Sequence, residues 1–188
     1  IASLNEEFSK ADSAVRRKQA EIDSLESRIT ALDRMQEHFD GYNNSIKYVM
    51  NEARAGRLRG IRGPVSYLIK VEPRYTVAIE TTLGMALQNI VTDDEESAKS
   101  AIGYLKSHDF GRATFLPIST MRGNPLKETG LESCRGFVGI ASELVECDEK
   151  YRGIVENLLA RTVIVSDMDA AIAMSQKYRN RFKIVTLD

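Results

Sequence analysis

The side chains best suited to chemistry in this sequence are five basic residues that occur close together. They are Lys47, Arg54, Arg57, Arg59 and Arg62. Glu52 is the only acid between the first and the last of them. Clustered lysine and arginine neutralise phosphates and release the counterions condensed around nucleic acid, whatever its base sequence. The cluster is therefore a candidate DNA-binding surface. The alternative that the sequence leaves open is a solvated face, or local pairing with acids of a helix that returns along the chain's first helix.

Groups that support catalysis or metal binding are sparse and scattered. The two cysteines are Cys134 and Cys147, and the two histidines are His38 and His108. No CxxC, HExxH, GxSxG or GxGxxG pattern is present. We therefore predict no catalytic residue, no metal site, no cofactor and no small-molecule substrate. Two thiols without a disulfide framework are typical of a reducing cytosol, and we expect them to be buried or inert.

An apolar heptad repeat runs through residues 1–40. Ten of its twelve seam positions are apolar, namely Ile1, Leu4, Phe8, Ala11, Val15, Ile22, Leu25, Ile29, Leu32 and Phe39. A repeat sustained over more than five heptads is typical of a coiled coil. Its polar positions mix nine acids with six bases, whereas a helix lying on a membrane favours one-sided positive charge. We predict a coiled-coil arm that pairs with another helix, and no membrane association.

A junction segment, residues 41–63, follows the heptads. Turn-forming residues begin it, and Ser45 is the predicted N-cap of a helix that runs from Ile46 to about Arg57. Alternating apolar residues from Val65 to Val71 then predict a strand, and the spacing from Pro73 to Leu87 predicts a helix.

The body, residues 64–188, repeats its own pattern. Three residues of its first half recur 76 residues later: Tyr75, Glu80 and Leu83 match Tyr151, Glu156 and Leu159. Each half continues with a β-branched strand, an acidic helix start, an Ala-rich helix and a final strand. In the first half, Asp93 is the predicted N-cap and Glu96 would complete a capping box. We predict an α+β body of two pseudo-symmetric halves, about 64–120 and 140–188.

Several stretches together resemble the hinge of SMC (structural maintenance of chromosomes) proteins. They are Gly60-Ile61-Arg62-Gly63-Pro64-Val65, Ala78-Ile79-Glu80 with Leu83-Gly84, Ala86-Leu87-Gln88-Asn89-Ile90-Val91, and Gly111-Arg112-Ala113-Thr114-Phe115-Leu116-Pro117. The resemblance covers about residues 41–188, and the heptads fit the adjoining coiled coil. The last of these stretches looks more like a bacterial SMC protein than a eukaryotic one.

The resemblance implies a cytoplasmic, nucleoid-associated protein that condenses and segregates chromosomes. SMC chains reverse at the hinge, so that the two arms of one polypeptide pair and an ATP-binding ATPase head lies at the far end. We therefore expect a second hinge as the homodimer partner, a returning helix as the partner of the arm, DNA contact at the five basic residues, and no enzyme activity in these 188 residues. The remaining C-terminal part of the hinge is expected beyond Asp188.

Open sheet edges are natural places for a second copy to pair. We assign this role to the final strand of each half, at Thr114, Phe115, Leu116, Ile184, Val185 and Leu187. The alternative function is a structural spacer that binds a protein partner and does not touch DNA.

Overall fold

The computed structural model describes the backbone of residues 2–37, 39 and 41–188, and the side-chain surroundings of residues 10–34, 39 and 41–188. The chain forms two compact units, which are residues 1–42 and residues 43–188. The short helix that follows the heptads therefore belongs with the body.

The first unit contains a single long helix, α1 (Ala2–Glu37). Its apolar stripe is open to solvent, because Val15, Ile22, Leu25, Ile29 and Leu32 are 47–66% exposed. Ala11 is exposed as well. Of the remaining seam positions, Ile1 and the side chains of Leu4 and Phe8 lie outside the described residues. Phe39 follows the helix end and is buried, so it does not extend the exposed stripe.

The body alternates short helices with short strands. Its helices are α2 (Asn44–Arg54), α3 (Val65–Leu68), α4 (Thr76–Leu83), α5 (Glu95–Ser107), α6 (Arg152–Leu159) and α7 (Met168–Tyr178). Its strands are β1 (Ile61–Pro64), β2 (Ile69–Val71), β3 (Ile90–Thr92), β4 (Phe115–Pro117), β5 (Phe137–Ile140), β6 (Val145–Cys147), β7 (Thr162–Val165) and β8 (Lys183–Thr186). Three 3-10 turns flank α4 and α6, at Pro73–Tyr75, Gly84–Gln88 and Glu149–Tyr151.

The strands form three small sheets, and two of these sheets share one topology. In the first half, β1 lies antiparallel to β3, and β3 lies parallel to β4. In the second half, β5, β7 and β8 repeat this order and these directions. Because parallel neighbours need a crossover connection, α5 and α7 each join two of these strands. The repeat predicted from the sequence is confirmed as two α+β halves.

The third sheet joins the two halves through the antiparallel strands β2 and β6. Its pairs are Ile69 with Cys147, Lys70 with Glu146, and Val71 with Val145. The 76-residue offset carries Lys70 onto Glu146, which is its own partner in the sheet. A pseudo-twofold axis therefore passes between these two residues. The halves also share one apolar core, in which buried Tyr75 and Tyr151 occupy matching positions.

Each half starts its crossover helix in the same way. The carboxylate of Asp94 accepts a hydrogen bond of 2.8 Å from the Ser97 amide at the start of α5. Asp167 accepts one of 2.9 Å from the Ala170 amide at the start of α7. The prediction of Asp93 as the N-cap was thus wrong by one residue, because that carboxylate is engaged by an arginine of β1.

Three predicted elements differ from the observed ones. The strand predicted from Val65 to Val71 is a helical turn, α3, followed by β2, and it redirects the chain from one sheet to the next. The helix predicted to reach Leu87 ends at Leu83, and Gly84, which follows it, has a φ of 48°. The strand predicted near Arg112 begins at Phe115.

The first helix of the body also has different ends from those predicted. Asn43, not Ser45, precedes α2, and the Ser45 hydroxyl donates to the Arg112 carbonyl at 2.7 Å. The helix ends at Arg54, so Arg57 lies in the loop that follows it. Ser45 is buried and ties α2 to the loop before β4 instead of starting the helix.

Candidate nucleic-acid and dimer interfaces

The five basic residues lie on one continuous stretch of the body. Lys47 and Arg54 are on α2, Arg57 and Arg59 are in the loop after it, and Arg62 is on β1. This stretch, from Lys47 to Arg62, is called the basic stretch below. Its members differ in how much of their charge is already neutralised.

Arg57 is tied to Glu52 in a fork. Its Nε and Nη2 donate to the two Glu52 carboxylate oxygens at 2.5 and 2.6 Å. The hydrogen bond from Arg57 lowers the pKa of Glu52, so this carboxylate stays charged near neutral pH. Since a bidentate pair holds both groups in a fixed geometry, a phosphate must compete with Glu52 for this guanidinium.

Arg62 forms a similar fork across the first sheet. Its Nε and Nη2 donate to the Asp93 oxygens at 2.6 and 2.7 Å. Arg62 is on β1 and Asp93 follows β3, and the main chain reinforces their approach because the Asp93 amide donates to the Gly60 carbonyl. Arg57 and Arg62 are therefore paired with acids of the body itself, whereas the sequence reasoning placed such acids on a returning helix.

Arg59 is the member whose charge is left for a ligand. It is exposed, and no carboxylate of the described residues lies within ion-pair distance of it. Lys47 and Arg54 have interaction partners, so they are not open cations. The basic stretch is therefore less strongly positive than its sequence indicates.

An aromatic cluster beside α2 was missed by the sequence reasoning. The rings of Tyr48 and Phe110 stack with centroids 3.8 Å apart and planes 14° apart, and His108 stacks on Phe110 at 5.3 Å. Tyr48 is 39% exposed and follows Lys47 on the same helix. Aromatic faces of this kind can stack with nucleic-acid bases. The sequence did contain a signal for this cluster, because the aromatic residue Tyr48 directly follows Lys47 of the basic stretch.

The two final strands, β4 and β8, are the outer strands of their sheets. The Lys183 amide donates to the Arg161 carbonyl and the Leu187 amide donates to the Val165 carbonyl, so alternate residues of β8 face β7. Ile184 and Thr186 consequently direct their backbone groups away from the sheet. In β4, Thr114 accepts from the Ile90 amide, which leaves the backbone groups of Phe115 directed outward.

The six residues assigned to the dimer contact thus divide into two groups. The side chains of Leu116, Val185 and Leu187 belong to the shared core, and Thr114 faces the neighbouring strand. Phe115 and Ile184 are the members whose backbone groups lie on the open edges. Thr186, which the sequence analysis did not assign to the dimer contact, also directs its backbone groups outward from the edge of β8.

Apolar side chains flank both edges. A cleft of about 430 Å³ beside β8 is lined by Met168, Ile172 and Ile184, among others. Met168 and Ile172 are at least half exposed. A cleft of about 520 Å³ lies before β4 and includes Ile102, which is also half exposed. Each open edge therefore adjoins apolar surface that a partner can bury.

Within the part of the chain that the structure describes, no cluster of three or more His, Cys, Asp and Glu side chains is arranged to hold a metal ion. The helices of that same part include none that is both long enough and apolar enough to cross a membrane.

A long heptad helix followed by two pseudo-symmetric α+β halves with open outer strands defines a hinge-type domain. The chain belongs to the SMC hinge family, because residues 58–175 match the model described as "SMC proteins Flexible Hinge Domain". The resemblance to the SMC hinge that the sequence shows is confirmed.

This chain is similar in sequence to curated proteins named "Chromosome partition protein Smc". The one from Bacillus subtilis (strain 168) is 40% identical over 185 residues, which are 97% of this chain and 15% of that protein. The one from Desulfitobacterium hafniense is 36% identical over 195 residues, covering 100% of this chain and 16% of that protein. The chain thus spans about 15% of the length of these relatives.

Solved SMC hinge structures share the fold. An asymmetric dimer of the Geobacillus stearothermophilus SMC hinge domain matches with a TM-score of 0.91 and 35% identity, covering 100% of this chain and 75% of that one. The Pyrococcus furiosus SMC hinge domain matches with a TM-score of 0.63 and 32% identity, covering 81% of this chain and 76% of that one.

Proposed function

We propose that this chain dimerises as an SMC hinge by adding the open edge of one copy to the open edge of another. The observation that carries the proposal is the pair of outer strands, β4 and β8, each with backbone groups directed outward and apolar surface beside it. Its relative from G. stearothermophilus is described as a dimer, which supports the same state here.

The pseudo-twofold axis determines how such edges combine. One chain presents two similar edges, so β4 of one copy meets β8 of the other, and twofold symmetry repeats the contact on the opposite side. Two contacts bury the apolar clefts of both edges. In this closed arrangement β4 and β8 of both copies are paired, so neither strand is left open to a third copy.

Proline at Thr186 tests the edge contact. Thr186→Pro removes an outward backbone donor but keeps the inward donation from Leu187, so we expect a folded body whose dimer dissociates at least about tenfold more readily. Thr186→Val keeps the backbone donor and is the matched control. Sedimentation equilibrium measures dissociation, and circular dichroism checks the fold. A wild-type chain that is monomeric at every concentration, or equal dissociation of the two variants, would contradict the proposal.

We also propose that the basic stretch contacts DNA, with Arg59 as the cation that meets phosphate and Tyr48 as an adjoining face. Phosphate contacts of this kind are independent of base sequence and weaken with salt. The paired guanidinium groups of Arg57 and Arg62 contribute less, because Glu52 and Asp93 already neutralise them.

Two substitutions that change the charge of this surface in opposite directions distinguish DNA binding from the alternative function, a structural spacer that does not touch DNA. Arg59→Glu should weaken DNA binding and reduce the salt slope by about 1. Asp93→Asn should strengthen binding, because it releases Arg62. Lys127→Glu, an equal charge reversal on the segment that connects β4 to β5 and is called the linker below, should have little effect. Binding to single-stranded and double-stranded DNA is measured across a salt titration. If neither Arg59→Glu nor Asp93→Asn changes affinity, the DNA proposal fails and the spacer function is favoured.

In this function the chain needs no cofactor and catalyses no reaction. Any ATPase activity belongs to parts of a longer protein outside these residues, and chromosome partition and location at the nucleoid follow from the proposed DNA contact. The exposed stripe of α1 is proposed to pair with a returning helix, because an apolar heptad seam is stabilised when a second helix buries it.

A further inference from the structure

Two oppositely charged residues lie beside the outer strands β4 and β8, and nothing above assigns either of them a role. Arg112 lies three residues before β4, and Asp188 lies two residues after β8. Both residues are exposed. Within the part of the chain that the structure describes, neither side chain forms an ion pair. Each charge is therefore available to a second copy of the chain.

The main chain holds both residues in place. The Arg112 carbonyl accepts a hydrogen bond of 2.7 Å from the hydroxyl of Ser45, which is buried. Arg112 also lines the cleft that lies before β4. At the other edge, the Thr186 hydroxyl donates to the main-chain oxygen of Asp188 at 2.8 Å. The two charges thus lie at defined positions, one at each open edge.

The outward backbone groups limit how β4 of one copy can align with β8 of another. Phe115 directs its backbone groups outward from β4, and Ile184 and Thr186 do so from β8. In an antiparallel pair, two such residues lie opposite each other and exchange both hydrogen bonds. Antiparallel pairing therefore allows two alignments, with Phe115 opposite either Thr186 or Ile184.

Both antiparallel alignments bring the two charges together. Counting along the strands, Asp188 of one copy lies opposite Ala113 of the other in the first alignment and opposite Gly111 in the second. These two residues are the immediate neighbours of Arg112 in the chain. Paired strands are about 4.8 Å apart and consecutive residues about 3.3 Å apart. The long arginine side chain can therefore reach the Asp188 carboxylate in either alignment.

Parallel pairing has the opposite electrostatic result. If the two strands ran in the same direction, Phe115 would bond to both outward residues of β8. Arg112 would then lie between Arg181 and Lys183 of the other copy. Like charges that face each other across paired strands are destabilising. The charges beside the two edges therefore favour one direction of pairing and disfavour the other.

We propose that Arg112 and Asp188 determine the direction in which two copies pair, because antiparallel β4 and β8 form an ion pair between Arg112 of each copy and Asp188 of the other. This inference rests on the edge-to-edge dimer proposed above, and twofold symmetry forms the ion pair twice. Charged pairs at an exposed rim act on specificity more than on affinity. The pair therefore selects the correct arrangement of edges whose apolar surface supplies most of the stability.

Two charge reversals, studied alone and mixed, test this inference on the intact 188-residue chain. Arg112→Glu alone brings two acids together at both contacts, and Asp188→Arg alone brings two bases together. Each variant should therefore raise the dissociation constant of its own dimer at least about tenfold. A dimer of one chain of each kind has one wild-type pair and one reversed pair, so it should dissociate like the wild type.

Sedimentation equilibrium measures dissociation of each variant and of their one-to-one mixture. Native mass spectrometry identifies the mixed dimer, because the three possible dimers differ in mass. The preference for the mixed dimer should weaken at high salt, which screens exposed charges. Lys127→Glu, on the linker, is the control and should dimerise like the wild type. Circular dichroism checks the fold, and if Arg112→Glu does not fold, Arg112→Gln with Asp188→Asn tests the same pair by loss of charge.

The possible results distinguish this inference from the edge contact on which it rests. A wild-type chain that stays monomeric overturns both. A wild-type dimer whose charge-reversed variants dimerise equally well, or mix in statistical proportion, overturns the role of Arg112 and Asp188 and leaves the edge contact standing. Tighter dimerisation of Arg112→Glu would indicate parallel strands, because the new acid would face Arg181 and Lys183, and it would also overturn the inference.

Discussion

Two glycines, one in each half, have a left-handed backbone conformation and lie where a strand closely approaches the start of a helix. Gly60 and Gly136 have φ of +71° and +75°, and their carbonyls accept from the amides of Asp93 and Ser166. A Cβ at Gly136 would lie 2.4 Å from the Ala170 Cβ at the start of α7. The close approach of strand and helix therefore depends on the missing side chain as well as on the left-handed φ.

Alanine substitutions can distinguish these two requirements. Gly136→Ala combines a left-handed φ with a clash, whereas Gly56→Ala has the same φ of +75° and nothing within 4 Å of its new Cβ. We expect Gly136→Ala to lower the free energy of unfolding by about 1–3 kcal/mol more than Gly56→Ala, since the contact with Ala170 must be relieved by a backbone shift. Urea denaturation followed by circular dichroism measures both. If both variants lost the same free energy of unfolding, the start of α7 would be shown to shift away from the new Cβ without loss of stability.

The crossover helices α5 and α7 depend on charged N-caps. Hydrogen bonds from Ser97 lower the pKa of Asp94. Those from Ser166 and Ala170 lower the pKa of Asp167. Because the folded pKa lies below the unfolded value of about 3.9, each carboxylate stabilises the fold above that pH. The contribution is lost as the pH falls through the folded pKa.

Acid titration of cap variants tests this dependence. Asparagine keeps the capping acceptor but has no charge, so Asp94→Asn with Asp167→Asn should flatten the fall of Tm below about pH 4. At pH 7 the double variant should be slightly less stable, because it loses the favourable charge at two helix N-termini. Asp33→Asn, at an exposed position inside α1 and in no N-cap, is the control. An unchanged acid profile in the double variant would show that other carboxylates dominate.

At the scale of elements, the sequence predicted those helices and strands whose formation depends on residues close together in the chain. The seam of α1 follows from heptad spacing, and the second half follows from the match of Tyr75 with Tyr151. The choice of Asp94 over Asp93 as the N-cap could not be predicted in this way. It depends on Arg62, which is 31 residues away and is brought to Asp93 only by the pairing of β1 with β3.

At the scale of the whole molecule, the sequence predicted two halves but not how they are joined. The strand predicted from Val65 to Val71 has suitable β-branched residues, yet its first part turns as α3 so that β2 can reach β6. The residues from 141 to 144 make the corresponding turn in the other half. Reduced charge in the basic stretch likewise emerges only when Glu52 and Asp93 are placed beside their arginines.

The strand pair at the pseudo-twofold axis bears on how such a body can arise by duplication. Two identical copies of one half, related by a true axis, would place the same residue opposite itself at this point. A lysine or a glutamate there would face its own charge, which is unfavourable between paired strands. With Lys70 opposite Glu146, one continuous chain places opposite charges at this position, which two separate identical chains cannot achieve.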